Sequence, residues 1–297
     1  MGASPSQKAA VILAALALAG HSFAKPVSMP PLPAPMPAPL SLAVQQIDDA
    51  ERAFVQAVAQ GGLVQGFRQF AAPDAVMFLP DPTPAGPALA TARWPGDLLW
   101  RTQYVGVASS GDLAFSAGVS LLRGAGRPVG GFYLTVWRRQ PDGSWKYVLD
   151  RAADMPPGIW GAPPKPLMTV NTEPPPGAPS DEGLREADGS LNIALPKGAA
   201  AAFAARLDDQ ALLVRSMRPA AQGRGRALGL VSESPPILEA FTVGGSRSID
   251  GSLGYTYGRA RWSSPAGPQA GYYVRVWRAT PQGWRLLADQ LTERGPP

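Results

Sequence analysis

The sequence predicts an α+β protein built from two similar units in tandem, and three observations carry that prediction. First, a hairpin pattern is written twice, as GGFYLTVWRRQPDGSWKYVLD from Gly130 to Asp150 and as GYYVRVWRATPQGWRLLAD from Gly271 to Asp289. In both, alternating aromatic and aliphatic residues end in Trp-Arg, a turn with Pro and Gly follows, and a second run opens near a Trp and closes on Asp. That is the period-two pattern of paired antiparallel strands. Second, the spacing around the hairpin persists: Gly251 minus Gly111, Gly258 minus Gly118 and Gly271 minus Gly131 are each 140, falling to 139 after the turn, where Ser144 has no counterpart. Third, helical spacing precedes the strands of the first half, an order that lays helices over one face of a mostly antiparallel sheet.

The elements follow in chain order. Lys8, the apolar run Ala9 to Gly20 and then Ser22-Phe23-Ala24 form the charged, hydrophobic and small-residue parts of a secretory signal peptide over 1–24, cleaved after Ala24. The run is shorter than the ~20 residues needed to cross a bilayer as a helix, so a periplasmic or secreted protein with no transmembrane segment is expected. Pro26 to Pro39 makes 25–40 a proline-rich tether. The first unit, 41–154, opens with a helix carrying Ile47, Ala50, Phe54 and Val58 on one face, with Asp48, Asp49 and Glu51 near its start. Gly61-Gly62 ends it, and Leu63, Phe67 and Phe70 mark a second, shorter helix. Strands are expected from Ala75, over Leu98 to Val107, after the Ser109 to Asp112 turn, and in the hairpin. Prolines return over 155–196, read as a linker with at most a helical turn around Glu182 to Ala187. The second unit, 197–294, starts with a poor helix, GAAAAFAARL, and lacks a convincing pair of amphipathic opening helices, so it reads as a degenerate copy.

Composition excludes several chemistries. The chain has no Cys, and its one His, His21, lies in the leader. Disulfides, zinc-cysteine sites, thiolate nucleophiles and serine-histidine relays are therefore not available to the mature chain, and no cofactor or metal is expected. Net charge is +5 and uneven: 41–154 has ten basic and ten acidic residues, whereas 197–297 has thirteen and seven. A basic half could face an anionic envelope surface, but with no dense Lys/Arg cluster the preferred reading is scattered solvated arginines, and no nucleic acid is expected. Gly124-Ala-Gly126 and Gly223-Arg-Gly225 match no phosphate-loop spacing.

Trp100, Ser110-Gly111-Asp112-Leu113, Gly118, Gly131, Tyr133, Trp137-Arg138, Asp142-Gly143, Trp145-Lys146 and Asp150 together resemble the SnoaL-like domains of the nuclear-transport-factor-2-like superfamily, of the domain of unknown function 4440 type. The second half resembles them more weakly, through Gly251, Leu253, Gly254, Tyr255, Gly258, Tyr273, Trp277-Arg278, Gly283-Trp284 and Asp289. The resemblance implies two conical, cystatin-like α+β domains, each a bent sheet closed by helices around a pocket, with the outer sheet face available for pairing. It sets no single reaction, since the superfamily spans isomerases, cyclases, dehydratases and domains with no known chemistry.

Residues kept in both halves, Trp137 and Trp277, Trp145 and Trp284, Tyr133 and Tyr273, are assigned to packing. Asp150 and Asp289 end the last strand of each unit; a carboxylate at the mouth of an apolar cone could act as a general base, or be a strand-ending residue paired with Arg138 or Arg151. Trp100 and Tyr104, four apart, are expected on one strand face, where with Tyr133 and Asp150 they are the candidate contacts for a small apolar or ring-shaped ligand. Ordinary core packing is the competing reading of that pair. Asp112 reads as a turn residue. The Arg259 and Arg261 pair and the Tyr273, Arg275, Trp277 row are read as a domain interface. The leading function is an exported, non-catalytic ligand-binding or scaffold protein whose halves dock as an intrachain pseudo-dimer; the alternatives are an isomerase or lyase with Asp150 as base, and an envelope interaction module.

Overall fold

The computed structural model describes residues 42–294 apart from 95, 125, 157, 163–164, 175–179 and 266, so the expected leader and proline tether lie outside the described residues. The first unit runs α1 (Leu42–Gly61), α2 (Leu63–Phe70), β1 (Ala71–Phe78), β2 (Pro82–Pro84), α3 (Ala85–Thr91), β3 (Asp97–Val107), β4 (Leu113–Arg123), β5 (Val129–Arg139), β6 (Trp145–Asp154) and β7 (Met168–Asn171). The second runs α4 (Asp181–Ala194), α5 (Ala199–Arg206), β8 (Leu207–Arg215), β9 (Ala221–Gln222), α6 (Arg224–Ser232), β10 (Ile237–Arg247), β11 (Leu253–Trp262), β12 (Gln269–Thr280) and β13 (Gly283–Glu293). The two mixed sheets have the orders β2-β1-β6-β5-β4-β3-β7 and β10-β11-β12-β13-β8-β9. Read in opposite directions these are one arrangement, with β7 as an added edge strand on the first sheet.

Two expectations about the middle of the chain are corrected. The stretch read as a proline-rich linker contributes β7, which pairs in parallel with β3 from Tyr104 to Val107. It also contains α4, a full helix where at most a turn was expected; the Ser180 side chain caps it by accepting the Gly183 N–H at 3.0 Å. The second unit thus has two opening helices, α4 and α5. The sequence hid α4 because its buried face, Leu184, Ala187, Asp188, Leu191 and Asn192, includes two polar residues that interrupt the apolar stripe.

The shared glycines have a local cause. Beta bulges interrupt β3 between Thr102 and Tyr104 and β10 between Thr242 and Gly244. Opposite them, a Cβ on Gly118 would lie 2.0 Å from the Arg101 carbonyl oxygen, and one on Gly258 would lie 2.0 Å from that of Phe241. Only glycine admits so close a backbone approach.

Alternation along β5 divides the residues of each sheet between two destinations. Tyr133, Thr135 and Trp137 face the helices, whereas Phe132, Leu134 and Val136 face the other unit, where Tyr272, Val274 and Val276 of β12 join the same apolar cluster. The docking is reciprocal. Ser109 N–H donates to Ser252 Oγ at 3.0 Å, and Ile249 N–H, at the position matching Ser109, donates to Asp112 Oδ2 at 3.0 Å. Asp112 is therefore more than a turn residue, and Ser252 replaces it with another oxygen acceptor. Around this core Arg151 Nε donates to Thr292 Oγ1 at 2.6 Å, Gln290 Nε2 to the Phe132 carbonyl at 2.8 Å, and Arg294 pairs with Asp81 at 2.7 Å.

Arg259 and Arg261 project from the outer face of β11, paired with Phe241 and Glu239 of β10. The Tyr273, Arg275, Trp277 row is not an interface: it is buried under α4 inside the second unit. Arg215, Arg218, Arg247, Arg261, Arg275, Arg278 and Arg294 all pair with carboxylates, so much of the excess basic charge of this half is answered internally. Among the described residues no helix is long and apolar enough to cross a membrane.

Candidate functional site

The helix-facing side of the first sheet holds a constellation of polar groups within an aromatic shell. Glu51 sits on the buried stripe of α1, between Ile47 and Phe54, and is 2% exposed. Trp100 Nε1 of β3 donates to Glu51 Oε2 at 2.6 Å, the Ser116 hydroxyl of β4 donates to Oε1, and Trp137 Nε1 donates to Ser116 Oγ at 2.8 Å. Burial pushes the Glu51 carboxyl up to about 7, against these hydrogen bonds. Tyr133 OH donates to Thr102 Oγ1 at 2.9 Å, and its phenol is raised by burial and by the charges of Glu51, Asp150 and Asp48.

Asp150 is partly buried on β6. It accepts the Thr135 hydroxyl at 2.6 Å, and no cation is bonded to it among the described residues: Arg138 pairs with Asp74, and Arg151 points to the opposite face toward Thr292 and Glu293. Burial pushes the Asp150 carboxyl up to about 6, against the Thr135 hydrogen bond and the through-space charge of Arg151. A third raised carboxyl, Asp154, lies where β6 meets the second unit; burial takes it to about 7 despite the nearby Arg151.

The second unit repeats the constellation with one decisive change. Trp277 Nε1 donates to Thr256 Oγ1 at 2.9 Å, and Thr256 donates to Asp188 Oδ1 at 2.9 Å, so Asp188 of α4 takes the part of Glu51. Tyr273 OH lies 3.3 Å from Thr242 Oγ1, as Tyr133 lies beside Thr102, and Asp289 takes the part of Asp150. Thr135, however, is matched by Arg275. This guanidinium, 2% exposed, bonds Asp188 Oδ1 through Nη1 at 2.7 Å, Asn192 Oδ1 at 2.7 Å and Asp289 Oδ2 through Nε at 2.8 Å, and lies 3.9 Å from the Tyr273 ring centre. Arg215 Nη1 approaches Asp289 Oδ1 to 2.6 Å as an ion pair outside hydrogen-bond alignment. Burial pushes Asp188 up, but Arg275 and the Thr242 and Tyr273 hydroxyls outweigh it and hold the carboxyl below its ordinary value. The two carboxylates of the second unit are thus answered by its own arginines, and a cavity of about 230 Å³ lined by Phe203, Arg215, Trp262 and Leu291 lies beside them.

Of the candidate contacts, the structure brings Trp100, Tyr133 and Asp150 to the helix-facing side of one sheet. It does not bring Tyr104 there. The bulge at Gln103 inverts the alternation, so Tyr104 pairs with Ala117 and packs on Phe132, 6.4 Å between ring centres, on the opposite face from Trp100. Glu51 is the member sequence reasoning missed; its position in the apolar stripe Val44, Ile47, Phe54, Val58 marked it as an acid facing inward. Among the described residues no three His, Cys, Asp or Glu side chains are grouped so as to hold a metal ion.

No protein-family model and no curated protein matches the chain. Among solved structures, similarity extends to an NTF2-like protein with a cystatin-like fold from Novosphingobium aromaticivorans (14% identity, 38% of this chain and 80% of that one, TM-score 0.31). A ketosteroid isomerase-like protein from Erwinia carotovora atroseptica is similar at 14% identity over 39% of this chain and 99% of that one, with TM-score 0.35. A cystatin-like-fold protein from Caulobacter vibrioides is similar at 13% identity over 39% and 89%, with TM-score 0.32. The chain is an α+β protein of two helix-covered mixed sheets, and the solved proteins it resembles are NTF2-like and cystatin-like in fold.

Proposed function

We propose that this is an exported small-ligand-binding protein in which the first cone receives the ligand and the second is a scaffold docked against it. One observation carries the reading: among the described residues Asp150 is desolvated yet bonded by the Thr135 hydroxyl alone, whereas its counterpart Asp289 is held by Arg275 and Arg215. A desolvated carboxylate that the Arg151 charge reaches only through space, with no cation bonded to it, is costly to the free protein, and a ligand that bonds it recovers that cost. Trp100 and Tyr133 supply the aromatic wall. Native mass spectrometry of the full chain purified from its own host tests this: a small molecule should travel with the wild type and be absent from Asp150→Asn. A wild type that carries nothing, in a preparation where control binding proteins keep their ligands, would remove the reading.

A second reading has its own support. Asp150 at about 6 and Glu51 at about 7 lie where a carboxyl can both take up and release a proton near neutrality. That suits a small isomerase or lyase with Asp150 as the base and Glu51, screened by Trp100 and Ser116, tuning it. Turnover with a bell-shaped pH profile in that range, abolished in Asp150→Asn, would shift the assignment from binding to catalysis.

A further inference from the structure

We infer that the ligand of the first cone carries a guanidinium or ammonium group that bonds Asp150 in the place where Arg275 bonds Asp289. The inference rests on the reading of the first cone as a binding site and adds the chemical class of what it takes.

The two constellations act as an internal comparison. In the second, one guanidinium spans both carboxylates, reaching Asp188 at 2.7 Å and Asp289 at 2.8 Å with its flat face on Tyr273. In the first, those two tasks are separated. Glu51 has its donor in the Trp100 indole, and Trp100 stands at the position of Ala240, so the Arg275 to Asp188 contact has a replacement. The Arg275 to Asp289 contact has none among the described residues. Thr135 is too short to do more than donate one hydroxyl, and Leu79, at the register position of Arg215, offers no charge. The neighbouring cations are engaged elsewhere: Arg52 with Asp48, Arg138 with Asp74, Lys146 with the Gln69 carbonyl, and Arg151 with Thr292 on the far face.

What remains at Asp150 is a carboxylate with no cation bonded to it among the described residues, reached only through space by the Arg151 charge, beside a tyrosine ring equivalent to the one that already receives a guanidinium in the same molecule. A planar or compact cation satisfies both, through a charge-assisted hydrogen bond to the carboxylate and contact with the ring face. A neutral or anionic ligand would leave the Asp150 charge unanswered or oppose it.

The test uses the full chain and four probes of one chain length, butylguanidinium, butylammonium, butanol and butyrate, titrated calorimetrically. Either cation is expected to bind at least about tenfold tighter than butanol at about pH 8, to weaken toward about pH 5 as Asp150 takes up its proton, and to lose that advantage in Asp150→Asn. Which cation binds tighter separates a guanidinium from an amine source. Butanol or butyrate binding as tightly as the cations overturns the cation assignment and leaves the binding reading intact. A cation preference that survives in Asp150→Asn overturns it as well, by placing the cation elsewhere. No binding by any of the four overturns both. Should Asp150→Asn fail to fold, the pH series and the butanol comparison on the wild type decide alone.

Discussion

Glu51 and Asp188 receive equivalent hydroxyl donors from adjacent strands, yet only Asp188 has a guanidinium, and the consequence is thermodynamic. The Glu51 carboxyl rises from 4.5 to about 7 on folding, so the folded state holds its proton more tightly than the unfolded chain. Its contribution to stability is complete below the unfolded value and is lost as pH rises through about 7. We expect the thermal midpoint to fall between about pH 5 and pH 8. Glu51→Gln should flatten that dependence and recover roughly 3 kcal/mol at the alkaline end; Asp150 and Asp154 shift in the same direction and leave a residual slope. The reverse holds at Arg275. Removing it leaves buried Asp188 without a cation and Asp289 with Arg215 alone, so Arg275→Met should cost about 3–5 kcal/mol in urea unfolding. Arg275→Lys should restore only part, because an ammonium does not reproduce the fork that reaches Asp188, Asn192 and Asp289 together.

At the scale of the element, the bulges in β3 and β10 decide which residues meet. Gly118→Ala and Gly258→Ala place a methyl against a backbone oxygen that cannot move without opening the ladder, and each should lose about 1–3 kcal/mol by denaturant unfolding. The same bulge shows why part of the site was legible in sequence and part was not. Strand alternation correctly put Tyr133, Thr135 and Trp137 on one face, and the repeated Gly118 and Gly258 marked an equivalent constraint in both halves. Alternation cannot report an extra residue in a ladder, so Tyr104 was carried to the wrong side. Helical periodicity failed where a polar network lies beneath the helix: Asp188 and Asn192 made α4 read as linker, and Glu51 on α1 read as one of three acids near the helix start. Buried polar residues look like surface until their partners are known, and those partners lie 49 and 65 residues away at Trp100 and Ser116 for Glu51.

At the scale of the molecule, the two sheets cover each other's apolar outer faces. A fragment ending at Asp154 would lack β7 as well as its partner, so the fragment to test is 42–174. On its own it should melt below the full chain or self-associate through Phe132, Leu134 and Val136, as measured by scanning calorimetry and analytical ultracentrifugation. A monomer with the full-length midpoint would contradict the docking. The reciprocal contacts of Ser109 with Ser252 and of Ile249 with Asp112 predict that Asp112→Ala and Ser252→Ala each weaken that docking modestly, by about 1 kcal/mol apiece.

Carrying both facing sheets on one polypeptide has a further result. In a homodimer assembled from separate chains, any substitution inside one subunit is imposed on the other, and an arginine placed in one is placed in both. Here the genetic text for each cone is independent, and their encounter is intramolecular, so dilution does not part them. One half can build a guanidinium into its interior while its neighbour keeps a threonine at the matching position, a divergence that no symmetric pair of identical subunits can adopt.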